Sequence, residues 1–136
     1  MRALLCLLLA GSVVVPAAAA PSPVYLECSH TEGAGDKPTA LTITLVESES
    51  AATYSFDGGP GVKADAAFTA SDVSFQRVSS LSFMDTIVKY RVDRSTLTVT
   101  REMTMLYYDG PQAGTKEVKV ETGTCTLAKP PADRKF

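Results

Sequence analysis

The sequence predicts an all-β fold, a single antiparallel meander of seven to eight strands closed into a small barrel. Three observations lead there. Apolar and polar residues alternate with a period of two along most of the chain, and no stretch of useful length carries the helical period. Clusters of Gly, Pro and Asp fall between the alternating runs at short, regular intervals. Two cysteines, Cys28 and Cys125, stand near the two ends of the alternating region. A disulfide between them would hold the first and last strands together, and a meander whose ends meet is a closed ring. A two-sheet sandwich bridged by the same disulfide is the alternative.

The elements follow in order. Val24 to Cys28 reads as a first strand, and residues 29–38, with His30, Gly33, Gly35 and Pro38, as a loop. Leu41, Ile43 and Leu45 alternate with Thr42 and Thr44, the pattern of a half-buried strand. Glu47 to Ser50 turns the chain, after which Ala52, Tyr54 and Phe56 share a face. The run DGGPG at 57–61 is a turn. Residues 62–70 fit a short helical turn or an edge strand equally well. Val73 and Phe75 mark the next strand, Val88, Tyr90 and Val92 another, and Asp93 to Ser95 a tight reversal. Leu97, Val99, Met103, Met105 and Tyr107 fall on one face of a long strand, with Arg101 as the exception and Met103 and Met105 read as core. DGPQAG at 109–114 turns into a last strand through Val118, Val120 and Cys125.

The N-terminus has a separate character. Arg2 precedes an apolar run that Pro16 ends and alanines follow, the layout of a secretory signal peptide. The run is too short for a transmembrane helix, which needs about twenty apolar residues. Ala17 and Ala19 fit a cleavage site, with the cut before Ala20. The expected division is a leader over 1–19, a β-domain over 20–129 and a polar tail over 130–136. Cys6 leaves with the leader, so the mature chain keeps an even pair, which in an exported protein reads as a disulfide.

Composition narrows the function. The chain has 13 basic and 15 acidic residues. Without Arg2 the mature balance is 12 against 15, a net charge of −3. This acidity gives no footprint for nucleic acid and no polybasic segment for an anionic membrane. The C-terminal PPADRKF is no membrane strand, and the strands lack the aromatic girdles of a transmembrane barrel.

No catalytic set, metal site or cofactor site is expected. His30 is the single histidine, read as an exposed loop residue, and the disulfide removes Cys28 as its partner. Asp57, Asp65, Asp72 and Asp85 are spread singly through turns and strand ends, where aspartate commonly bonds nearby amides. There is no G-x-S-x-G, and the glycines of 57–61 precede neither the lysine nor the helix of a phosphate loop. Lys89, Arg91, Arg94 and Arg101 are read as a solvated charged face.

Two resemblances add to this. The segments FTASDVSFQ, KYRVDRSTLTVT and GTCTL, closing with RKF, resemble a diffuse group of small exported proteobacterial β-proteins without assigned activity. That resemblance implies export and a disulfide. Ser50, Ala51 and Tyr54 are similar to the Ser-Gly-x-x-Tyr element of periplasmic inhibitors of c-type lysozyme, with Ala51 in place of glycine. Lys63 falls one residue off the Trp-x-Lys-Gly element of that family, and Val62 stands where its Trp is expected. This second resemblance implies an inhibitor binding through Ser50, Tyr54 and Lys63. The sequence therefore leads to a non-enzymatic binding or structural protein of the periplasm or exterior, with a partner there. A hydrolase inhibitor and a carrier of a small apolar ligand are the alternatives.

Overall fold

The structure, a computed structural model, describes residues 21–31 and 37–130. The expected leader over 1–19 and the last six residues of the expected tail lie outside that range. Eight strands, β1 Val24–His30, β2 Thr39–Val46, β3 Ala51–Phe56, β4 Val62–Phe68, β5 Asp72–Ser80, β6 Met84–Asp93, β7 Thr98–Tyr107 and β8 Lys116–Leu127, run antiparallel in sequence order. β8 returns to β1, so the sheet is a closed barrel and the sandwich alternative falls away. Residues 62–68, open between helix and strand in the sequence, are strand β4.

Alternation fixes which side chains fill the lumen. Leu26, Cys28, Leu41, Ile43, Leu45, Ala52, Tyr54, Val73, Phe75, Tyr90, Val92, Val99 and Cys125 are all buried. The rings of Phe75 and Tyr90 stack with centroids 5.0 Å apart, and Tyr54 lies 5.1 Å from Tyr90 and 5.4 Å from Phe75. These rings pack the centre, the expected filling for a barrel of about eight strands.

Local chemistry sets the turns. Asp57 and Gly58 both adopt positive φ, 47° and 73°, and the Gly59 N–H donates to the Phe56 carbonyl at 2.7 Å. Positive φ at both central residues is the type I′ turn geometry, which Asp and Gly adopt readily, and it reverses the chain within the longer 57–61 connection. At the β6–β7 reversal the Asp93 carboxylate accepts from the Ser95 N–H, the Ser95 hydroxyl and the Thr96 N–H at 2.7–2.9 Å. These three bonds hold its pKa far below the ordinary carboxylate value, the Thr96 N–H contributing most.

The closing seam pairs Leu26 with Leu127, Cys28 with Cys125 and His30 with Gly123. The disulfide crosses it directly, joining residues 97 apart in sequence. Gly123 allows the strands to meet, because a Cβ there would collide with the Ser29 carbonyl and with His30. The opposite seam is thin. β4 and β5 share three pairs, Ala66–Phe75, Ala67–Ser74 and Phe68–Val73, and then part. Among the described residues, β5 beyond Phe75 pairs only with β6, and β8 before Gly123 pairs only with β7. The long strands β5 to β8 therefore project past the ring as a four-stranded sheet whose two edges carry no further strand among the described residues.

Three expectations need correction. β1 continues through His30, which is buried in the strand at 4 % exposure rather than lying in a loop. Its position two residues after Cys28 gives it the inward parity of Leu26 and Cys28. Arg101 is no exception on β7 and no member of a solvated face: it points inward to Glu121. Met103 and Met105 do share the inner face, but they stand half-buried on the projection, beyond the core.

Candidate functional site

One end of the barrel is an apolar cup of about 520 Å³. Strand ends build it: Leu26 from β1, Leu45 from β2, Phe68 from β4, and Val73 and Val92 from β5 and β6. Leu26, Val73 and Val92 are almost wholly buried, while Val24 and Leu127 are 41 % and 69 % exposed. Pro21 and Ser22 complete the wall where the described chain begins.

Leu97 joins the wall through the Asp93 turn. Its φ is 54°, a left-handed conformation that costs a branched aliphatic residue energy. Its N–H donates to the Asp93 carbonyl at 3.0 Å, and its carbonyl accepts from the Cys125 N–H at 2.7 Å. Polar groups lie beside this wall. Arg94 donates to the Thr69 carbonyl at 2.6 Å and approaches Glu47 at 3.4 Å, so it is held rather than loose. Glu47, Arg94 and Ser95 all line the cup. A barrel mouth with apolar walls and a few fixed polar groups is a common ligand-binding arrangement.

At the far end of the lumen lies a charged cluster. Arg101 donates to a Glu121 carboxylate oxygen at 2.8 Å, and His30 Nε2 lies 3.6 Å from the same oxygen. Burial disfavours the guanidinium charge, but hydrogen bonds and attraction to Glu121 and Tyr90 outweigh it and raise the Arg101 pKa. Burial raises the Tyr90 pKa, against the opposing bond to Arg101. Glu121 and Arg101 follow the parity of Cys125 and Val99, so strand alternation sends both inward. The single histidine is thereby sealed against a carboxylate at the end of the aromatic core.

The residues of the inhibitor reading do not share a surface. Ser50 is exposed with φ 49°, and Lys63 is exposed beside Glu49 at 3.4 Å. Tyr54 lies inside the barrel at 2 % exposure. The acidic residues are also held apart by local partners. Asp57 accepts from the Ala40 N–H at 3.2 Å, Asp72 from Arg91 at 2.8 Å and Asp85 from the Tyr108 hydroxyl at 2.6 Å. The bond from Arg91 lowers the Asp72 pKa, with Ser71 adding to it, and the bond from Tyr108 lowers that of Asp85. Among the described residues no three His, Cys, Asp or Glu side chains form a metal-holding group, and no helix is long and apolar enough to cross a membrane.

Sequence reasoning missed the cup because its walls come from the ends of six strands and the turns beside them. Only the register shows that these ends meet. The chain matches no protein-family model, and no curated protein or solved structure is significantly similar to it.

Proposed function

We propose that the protein is a non-enzymatic binding protein of the bacterial cell envelope or exterior, holding the apolar part of a small ligand in the cup. The observation that carries this reading is the cup itself: apolar strand ends around about 520 Å³, with Glu47, Arg94 and Ser95 beside them. The packed aromatic centre keeps the ligand at the mouth rather than in the lumen. The polar groups favour a ligand with an apolar body and a small polar head. Export is supported by the leader-like first nineteen residues and by the disulfide, which persists in oxidising compartments.

The test is titration of the oxidised mature protein with N-phenyl-1-naphthylamine, followed by displacement with a medium-chain fatty acid. Saturable enhancement and competitive displacement are expected. Val24→Glu and Leu127→Glu place charges at exposed cup positions and should each weaken binding about tenfold, a change of about 1.4 kcal/mol, with the circular dichroism unchanged. No saturable binding, or binding indifferent to both substitutions, overturns the proposal.

A further inference from the structure

Among the described residues, β8 has no partner strand on its outer edge from Lys116 to Thr122, where Val118 and Val120 are 48 % and 61 % exposed. A long free edge carrying exposed valines is a template for another strand. We propose that its occupant is the same edge of a second copy, paired antiparallel about a two-fold axis at Val118.

The register follows from symmetry. A two-fold axis perpendicular to a sheet places each residue opposite one of the same face, so the axis must pass through a residue. Centring on Lys116, Glu117 or Lys119 sets that charge against its own copy. Centring on Val120 sets Lys119 against Glu121, which is buried and engaged by Arg101. Centring on Val118 sets Glu117 opposite Lys119 of the second copy, twice over, and Val118 opposite Val118.

Glu117 and Lys119 suit this exchange. Both side chains are about half exposed, and within one chain they form only a loose pair at 3.6 Å. Lysines on a free edge ordinarily discourage pairing; in this register Lys119 meets a carboxylate. On the outer face each Val120 comes diagonal to the other copy's Val118, within side-chain reach. The four valines then form one apolar cluster. The other edge of the sheet, Gln76–Ser80 of β5, has no such match, because centring it on Val78 sets Arg77 against Ser79.

Sedimentation velocity of the oxidised mature protein across a concentration series tests this. A reversible monomer–dimer equilibrium is expected. Lys119→Glu replaces both attractive contacts with repulsive ones and should weaken the dimer about tenfold or more. Glu117→Lys combined with Lys119→Glu restores opposite charges across the axis and should recover most of the affinity. Both sites are exposed, and circular dichroism checks that the fold is kept. A protein that stays monomeric up to about a millimolar, or a dimer indifferent to Lys119→Glu, overturns the proposal. So does a double variant no better than the single one.

Discussion

Removing the Cys28–Cys125 link with a double alanine substitution should destabilise the domain by about 4.7 kcal/mol. The figure comes from the chain between the cysteines, which stand 97 positions apart. Closing a loop of that size restricts the unfolded chain by about 16 cal/mol/K in the chain-entropy treatment, or about 4.7 kcal/mol at 25 °C. The structure explains why the loss falls on one place. The other seven seams join consecutive strands, whereas β1–β8 unites the two ends of the domain through five residue pairs. Both cysteines are buried, so losing their sulfur atoms adds to the penalty. A domain of this size typically has about 5–15 kcal/mol of stability in total, so the variant is left marginal. Urea unfolding of oxidised wild type and double variant provides the measurement. The slope against urea should also rise, because the unlinked unfolded chain exposes more surface. A loss under about 2 kcal/mol with an unchanged slope refutes the view that the covalent link, rather than packing alone, secures the closing seam.

Glu121→Gln removes the carboxylate that Arg101 bonds at 2.8 Å and should cost about 3 kcal/mol in urea unfolding, whereas Arg101→Met with Glu121→Leu should recover most of that. Gly123→Ala forces β8 away from Ser29 and His30 and should cost about 2 kcal/mol, seen as a lower thermal midpoint. Asp93 has a folded-state pKa below its unfolded value of about 3.9, so its stabilising contribution is complete above that pH and fades as pH falls below it. Acid titration of wild type and Asp93→Asn should show a stability gap that is widest above pH ~4 and narrows on acidification.

Much of the fold was legible because one pattern dominates the chain. Period-two alternation located the strands, and two cysteines at the ends of the alternating region turned a meander into a ring. The failures share a cause. Gly33, Gly35 and Pro38 drew His30 into a loop reading although its parity matched Cys28. Charge made Arg101 look misplaced, because its partner Glu121 lies on another strand and only the β7–β8 register brings the two together. Met103 and Met105 carry a core pattern past the point where the ring stops closing, and strand lengths are not encoded by alternation. The Ser50, Tyr54 and Lys63 set came from a resemblance to an inhibitor family, and the pleat sends Tyr54 inward. The cup was hidden because an apolar residue at a strand end looks the same in sequence whether it caps a core or lines a mouth.

The two opposite joints of the ring also differ in how they can yield. The one between β1 and β8 is riveted by a covalent bond, whereas the one between β4 and β5 rests on three residue pairs. Fluctuation short of global unfolding begins where the fewest contacts must break. The barrel is thus built as a clasp with a permanent pin: an opening at β4–β5 would leave its two halves tethered through the sulfur bridge, and reclosure would not have to search for the chain ends.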